Sequence, residues 1–431
     1  MTAASPAMMW FWQAWLAAVV FVFPIPHTIA LRNLLLLVGI VALLYGCRSR
    51  LPRFAPWLKP AAFWFAALTA WIAFHSVAIA TESTLAFDEF RADWLTSLLI
   101  GAIGAWAATQ LDQGRALQAV IAALAAHMLW LLGWQFDLWL TAPSWPFKAT
   151  PFGAYDYQGT INSFFLTLLV ADRLVVVLGR PSPLSVGKSA GWALLALSLL
   201  SDLALQSRNS TAITLFMLLA ASLGLLNSRS RHWRTIVLAV GMIALIGLGS
   251  IQFDSRWQGL RESLVVGWSS PDMRWMDLTA ADPATWPATP SGEKVEESAY
   301  LRAAWARQAI DFIAEHPLGI GFGHDAFGRA IALKHGHAGM GSSHSGWLDF
   351  ALGTGLAGLG LLLAMGVVAV RSAWIRFRDW QDGQALLLGF FVGGYLLRCL
   401  LDGHLSGWRL GLFAFISGVL IAAMKPPPQR T

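Results

Sequence analysis

Runs of apolar residues, separated by short polar or Pro/Gly-rich breaks, extend along almost the whole chain. A helix needs about 20 mainly apolar residues to cross the hydrocarbon core of a bilayer. The runs predict twelve transmembrane helices, at residues 9–23, 34–46, 61–80, 94–109, 116–134, 161–178, 190–206, 211–226, 235–251, 347–370, 385–401 and 405–424. The predicted fold is therefore an all-α polytopic membrane protein.

The composition supports this fold class and excludes a soluble protein. Of the 431 residues 56% are hydrophobic and 13% are charged, against about 25% charged in soluble domains. The 39 glycines and 23 tryptophans suit close helix packing and aromatic belts. The formal charge of +6 could indicate nucleic acid binding, but the soluble mass is too small for such a domain, so membrane lipids are the expected surroundings. Two cysteines, Cys47 and Cys399, are too few for a disulfide framework.

Lysines and arginines predict the orientation, because short cytoplasmic loops carry the positive excess. With the N-terminus inside, fifteen of the thirty lie in inside loops and the C-terminal tail, and four lie in short outside loops. Both termini are therefore predicted on the inner side of the membrane. The segment between the ninth and tenth spans is predicted on the outer side.

This outer segment is far longer than an ordinary connection. It divides the chain into spans one to nine (residues 1–251), an outer loop domain (252–345), and spans ten to twelve with an inner tail (346–431). Residues 300–315 predict an amphipathic helix, because one stripe of it carries Leu301, Trp305, Ala309, Phe312 and Ile313. Residues 277–297, rich in Pro, Ala, Thr and acids, predict a flexible flap.

Two arginines on the outer side are candidate anion ligands. Arg208 lies in a polar break between the seventh and eighth spans, and Arg302 lies near the start of the amphipathic helix. A guanidinium presents a planar fork to phosphate oxygens and keeps its charge. Arg208 could instead contact lipid headgroups or cap a helix, and Arg302 could be an ordinary solvated residue.

Histidines in the outer segment offer two kinds of chemistry. His344 lies at the outer mouth of the tenth span, where a rigid helix can fix an imidazole that accepts a hydroxyl proton. His335, His337 and His344 could instead hold a metal ion, but no placed carboxylate accompanies them. We therefore predict no metal and no other cofactor, and the roles of His335 and His337 stay open.

Two further features have structural interpretations. The GIGFG sequence at residues 319–323 lacks the preceding strand and the lysine of a phosphate loop, so its glycines predict a tight backbone path against the membrane. Arg398 and Asp402, four residues apart near the end of the eleventh span, predict a helix ion pair. A functional role for this pair is the alternative, since ionisable groups inside a membrane are costly.

The outer motifs follow a recognisable order. They are Ser207 with Arg208, then Arg302 and Trp305 followed by PLGIGFG, then His344 before a span containing Gly355 and Gly358. In this order and spacing the chain resembles the O-antigen ligase and polymerase superfamily of bacterial envelope glycan assembly. The resemblance covers about residues 206–358 by motif and the full chain by topology.

Three positions depart from the pattern of that family. Asn209 stands where glycine is common, Ser345 where asparagine is common, and Gly353 where glutamate is common. These departures concern the surroundings of the motif residues and leave Arg208, Arg302 and His344 themselves in place.

The resemblance implies a glycosyltransferase C-like enzyme of the bacterial inner membrane with a periplasmic active site. It implies inverting, metal-independent transfer from an undecaprenyl-diphosphate-linked glycan, with Arg208 and Arg302 binding the donor diphosphate and His344 as catalytic base. Twelve spans with one late outer loop favour lipid A-core as the acceptor, hence an O-antigen ligase. An O-antigen polymerase and a protein O-oligosaccharyltransferase are the alternatives within the superfamily.

Two hypotheses from other classes remain. Twelve spans and outward-facing arginines also suit a transporter or flippase for lipid-linked glycans, which predicts charge near the midplane and inverted repeats. The charge here is concentrated at one surface instead. A non-catalytic envelope assembly protein would tolerate the loss of His344.

Overall fold

The computed structural model describes residues 6–46, 55–226, 259–270, 274–277, 286–336, 340–403 and 405–424, with single positions between 237 and 257. Regular structure in this part is helical, apart from one isolated antiparallel bridge between Ala288 and Lys294. In chain order the described helices are α1 (Pro6–Val22), α2 (Ile29–Gly46), α3 (Lys59–Ala78), α4 (Ser83–Glu89), α5 (Thr96–Ala108), α6 (Gln113–Trp139), α7 (Tyr155–Val177), α8 (Lys188–Leu205), α9 (Arg208–Leu226), α10 (Leu260–Ser269), α11 (Arg274–Asp277), α12 (Glu297–Glu315), α13 (Ala326–His335), α14 (Gly346–Trp380), α15 (Gly383–Leu401) and α16 (Gly407–Ala422).

The helices confirm a multi-pass membrane protein. Seven of those in the described part are long and apolar enough to cross a membrane, namely α3, α6, α7, α8, α9, α14 and α15. Helices α1, α2 and α16 are also apolar but shorter. The ninth predicted span, residues 235–251, lies mostly outside the described residues, so the total of twelve and the domain boundaries stay predictions.

The fourth predicted span, residues 94–109, corresponds to α5, and a short helix precedes it. Helix α4 starts at Ser83, and a π-helical turn over Phe90–Leu95 connects it to α5. Hydropathy set the start at residue 94 because four charged residues precede it at 88, 89, 91 and 93. The π-helical turn ends beside Trp94, whose buried ring lies against Phe322 and Phe350.

Glycines allow the closest helix contacts in the bundle. Helices α5 and α16 pack so tightly that a Cβ added to Gly418 would lie 2.0 Å from the carbonyl oxygen of Gly101. A Cβ added to Gly104 would lie 2.4 Å from the carbonyl oxygen of Phe415. Small residues let backbones approach in this way where lipid gives no hydrophobic drive between helices.

The PLGIGFG segment packs against a break in α14. Gly355 has φ 73° and ψ 175°, which interrupts the helix, and the Leu356 N–H donates to the Pro317 carbonyl at 2.9 Å. The Ile320 N–H donates to the Leu352 carbonyl at 2.8 Å. Backbone groups freed by the break are therefore satisfied by protein, as buried backbone N–H and carbonyl groups require. The glycines give the tight path that the sequence predicted.

The outer segment has its own core, formed by α12, α13 and the start of α14. Four members of the predicted stripe, Trp305, Ala309, Phe312 and Ile313, are buried there, and α12 confirms the predicted amphipathic helix. The flap prediction is wrong for residues 286–296. Trp286 and Val295 are buried in the same cluster, and the Val295 N–H donates to the Pro287 carbonyl at 3.2 Å, because the stretch carries apolar anchors among its polar residues.

Candidate active site

A polar cavity of about 360 Å³ lies at one end of the helix bundle. Its walls come from the starts of α7, α9 and α12, the residues just before α14, and the end of α15. The lining residues are Gly153, Ala154, Tyr155, Asp156, Ser207, Arg208, Asn209, Ser298, Arg302, His344 and Asp402. The structure thus brings Arg208, Arg302 and His344, which are distant in the chain, to one cavity.

Arg208 is positioned by the sharp turn between α8 and α9. Gln206 adopts the left-handed conformation (φ 45°), so α8 ends there and Arg208 becomes the first residue of α9. Its Nη2 donates to both carboxylate oxygens of Glu296, at 3.0 and 2.9 Å. Only 14% of the Arg208 side chain and 12% of the Glu296 side chain are exposed. This pair links the start of α9 to the start of α12.

Glu296 also begins the amphipathic helix. Its Oε2 accepts a hydrogen bond from the Ala299 N–H at 2.7 Å, which satisfies one of the free donors of the first turn of α12. The Glu296 N–H donates to Ser263 Oγ of α10 at 2.8 Å. One carboxylate therefore caps the helix and holds the first arginine.

Arg302 lies one and a half turns into α12 and reaches across to two other helices. Its Nη1 donates to Asn209 Oδ1 at 2.7 Å and to the Leu401 carbonyl at 3.2 Å. Ser298, Arg302 and Trp305 follow one another at intervals of four and three residues, so they lie on one face of α12, and the N-terminal part of this face borders the cavity. Both acceptors of Arg302 are neutral.

His344 is fixed by its backbone and by an aromatic neighbour. It has φ 57°, an uncommon conformation for a residue with a Cβ, and its N–H donates to Ser342 Oγ at 3.1 Å. The imidazole stacks on Trp305 of α12, with ring centroids 5.2 Å apart and an interplanar angle of 17°. The side chain is 38% exposed, so it is both held and accessible.

Asp402 is one of the cavity residues that the sequence did not assign to the site. Its Oδ1 lies 3.5 Å from His344 Nδ1, and its backbone carbonyl accepts from the Gly346 N–H at 3.1 Å. The predicted pair with Arg398 is present, but the closest N–O distance is 3.9 Å. Its position at the end of a span, two residues before His404 in the chain, was the available signal in the sequence.

Arg398 has closer partners elsewhere in the bundle. It is fully buried, and its Nη1 donates to Ser163 Oγ of α7 at 2.8 Å and to Ser210 Oγ of α9 at 3.1 Å. These hydrogen bonds connect α15 to α7 and α9, whose N-terminal ends line the cavity. Asp402 Oδ1 accepts a hydrogen bond from the Gly403 N–H at 3.0 Å and lies 3.5 Å from His344 Nδ1.

The candidate metal ligands of the sequence do not come together in the described part of the chain. His335 ends α13, His344 lines the cavity, and His337 lies outside the described residues. Within the described part, the carboxylates of Glu89 and Asp93 with the imidazole of His324 have ligand spacing. Burial lowers the pKa of His324, but its hydrogen bond to Glu89 and nearby carboxylate charges outweigh this and raise the pKa overall. A raised pKa favours the protonated imidazole, which forms an ion pair with the Glu89 carboxylate at 3.1 Å.

These helices and the cavity define a polytopic membrane protein with a polar, arginine-rich site where several helices end. Residues 193–363 match the O-antigen ligase family, and this segment contains Arg208, Arg302 and His344. The match covers 171 of the 431 residues and supports the resemblance to the O-antigen ligase superfamily that the motifs indicated. A comparison with curated proteins found no match.

Proposed function

We propose that the protein is an O-antigen ligase of the bacterial inner membrane, with its cavity facing the periplasm and both termini in the cytoplasm. It moves O-antigen polysaccharide from undecaprenyl diphosphate to a sugar hydroxyl of lipid A-core. One observation carries the proposal: two guanidinium groups and an imidazole line a single cavity. The family match over the same residues supports the reaction class.

The arginines act on the leaving group. When the bond between the sugar C1 and the phosphate oxygen breaks, negative charge grows on the undecaprenyl diphosphate. Arg208 and Arg302 stabilise this charge with groups that are already in place and cannot lose their protons. This charge stabilisation needs no metal ion, so the proposed transfer is metal-independent.

His344 acts on the acceptor. The acceptor oxygen forms its bond to C1 on the face opposite the leaving diphosphate, which inverts the anomeric centre, and its proton passes to the imidazole. With the Nδ1–H directed to Asp402, the Nε2 lone pair is the proton acceptor. Asp402 then stabilises the imidazolium, and stacking on Trp305 fixes the orientation of the imidazole ring.

The proposal is tested by transfer from lipid-linked O-antigen to lipid A-core with purified protein in EDTA. The wild-type protein should retain activity, and His344→Ala should lose at least about 100-fold in kcat, the usual contribution of a general base. Binding of the donor to His344→Ala should persist, which separates lost chemistry from lost folding.

Two outcomes would contradict this account. Ligation by His344→Ala at the wild-type rate would contradict the role of His344 as the general base. Loss of wild-type activity in EDTA, with recovery on adding zinc, would favour a metal-dependent mechanism. A second donor molecule offered in place of lipid A-core distinguishes a polymerase, since only a polymerase would then lengthen the glycan.

A further inference from the structure

The first turn of α9 carries a second polar residue beside Arg208. We propose that Asn209 is a positioning residue that holds the Arg302 guanidinium in the orientation that receives the donor diphosphate. The inference rests on the proposed function and deepens it, because it assigns a role to the residue that follows Arg208 and contacts Arg302.

Three helices meet at this amide. Asn209 Oδ1 accepts from Arg302 Nη1 of α12 at 2.7 Å, the shortest contact of that guanidinium. Asn209 Nδ2 donates to the Leu401 carbonyl of α15 at 3.2 Å and lies 3.5 Å from Asp402 Oδ2. The Leu401 carbonyl also accepts from Arg302 Nη1 at 3.2 Å, which closes a ring of three groups.

The chemistry of this position requires an amide. The side chain must accept a hydrogen bond from a guanidinium on one side and donate to a carbonyl and a carboxylate on the other, and an amide does both. A carboxylate of the same shape accepts from Arg302 but repels Asp402 and adds negative charge beside a diphosphate. Glycine or alanine makes neither contact.

The consequence for the site is a fixed relation between the two arginines. Arg208 and Asn209 are consecutive, so one helical turn carries the first guanidinium and holds the second through the amide. A long side chain that is already ordered loses less conformational freedom when the diphosphate binds. Asn209 should therefore act mainly on donor affinity and leave acceptor use unchanged.

A double-mutant cycle measures this coupling directly. Donor KM and kcat are measured for the wild-type protein, Asn209→Ala, Arg302→Ala and the double variant, with purified protein and lipid-linked glycan. Asn209→Ala should raise donor KM about tenfold, the lower range for a hydrogen bond to a charged group, with kcat and acceptor KM little changed. In the Arg302→Ala background the same change should have almost no further effect on donor KM.

Two further variants complete the experiment. Asn209→Asp keeps the shape and should raise donor KM more than Asn209→Ala, which a purely structural loss does not predict. Ser298→Ala is the matched control, since Ser298 lines the same cavity and its effect should add to that of Arg302→Ala.

The outcomes separate this inference from the proposed function. If Arg302→Ala raises donor KM but Asn209→Ala does not, or if the two effects add in full, Asn209 does not position Arg302. Coupling of Ser298 to Arg302 as large as that of Asn209 would also overturn the inference. If Arg302→Ala leaves donor KM unchanged, the diphosphate clamp itself is wrong.

Discussion

The two arginines of the cavity are held by partners of different charge. Arg208 donates to the Glu296 carboxylate, whereas Arg302 donates to the neutral Asn209 amide and the Leu401 carbonyl. A neutral acceptor fixes a guanidinium without cancelling its field. We therefore expect Arg302 to contribute more than Arg208 to the stabilisation of the leaving diphosphate.

The planar guanidinium fork, and not charge alone, should determine donor binding. Arg302→Lys keeps the charge but loses the fixed geometry, so donor KM should rise about tenfold and remain below that of Arg302→Ala. Arg208→Lys should have a smaller effect, because an ammonium can still pair with Glu296. Steady-state kinetics with varied donor concentration provides the measurement.

Arg307→Lys is the matched control for these changes. Arg307 lies on the same helix but pairs with Asp311 at the exposed surface, so its replacement should leave donor KM unchanged. Equal kinetics for Arg302→Lys and the wild-type protein would contradict a role for the fork.

Sequence reasoning could identify a site residue when a break in hydropathy exposes it. Arg208 and His344 lie at such breaks, and the structure places both on the cavity. Asp402 and Asn209 were not assigned because their contacts join residues far apart in the chain. The sequence spacing of Arg398 and Asp402 suggested an ion pair between these two residues. In the structure the Asp402 carboxylate lies closer to His344, at 3.5 Å, than to Arg398, at 3.9 Å.

At the scale of elements, α12 connects the site. Its N-cap residue holds Arg208, Arg302 extends from its second turn, and Trp305 one turn further stacks on His344. Its apolar stripe anchors this helix in the outer core. Because Arg302 and Trp305 are three residues apart, one face of α12 carries both the second arginine and the aromatic partner of His344.

The break in α14 could not be predicted from hydropathy, because the apolar pattern continues through it. The break depends on Gly355, whose conformation is open to glycine and whose added Cβ would lie 2.4 Å from the Leu318 carbonyl oxygen. The atoms nearest to this added Cβ are backbone atoms of Leu318, which cannot move aside as a flexible side chain can. The clash therefore cannot relax locally.

Gly355→Ala should therefore destabilise the protein by about 2–5 kcal/mol, through backbone strain and steric overlap. Gly360→Ala in the same helix is the control, since no atom lies within 4 Å of the added Cβ, and it should be neutral or slightly stabilising. Thermal unfolding in detergent compares the two. Equal transition temperatures for Gly355→Ala and Gly360→Ala would contradict the packing argument.

At the scale of the whole molecule, the helix ends place the cavity on one side of the bundle. The cavity is lined where α7 and α9 begin, where α15 ends and just before α14, which agrees with alternating membrane crossings. Composition and periodicity were sufficient to predict an all-helical membrane protein, because only helices and closed β-barrels can span a bilayer. They were not sufficient for helix packing, which depends on individual glycines and long-range contacts.

The orientation can be measured with single cysteines in a Cys47→Ser background, in which Cys399 is buried. Leu333→Cys lies on the exposed surface of α13 and should react with a membrane-impermeant maleimide in spheroplasts. Asp379→Cys lies at the C-terminal end of α14, away from the cavity, and should react only after the membrane is permeabilised. The reverse pattern would place the cavity on the cytoplasmic side.

The central claim is that Arg208, Arg302 and His344 act on one bound donor. The most direct measurement is a structure of the protein with undecaprenyl-diphosphate-linked glycan. We predict that phosphate oxygens lie within hydrogen-bonding distance of both guanidinium groups, with the sugar C1 between the diphosphate and the His344 imidazole. A diphosphate bound outside this cavity, or a C1 atom on the side away from His344, would contradict the account.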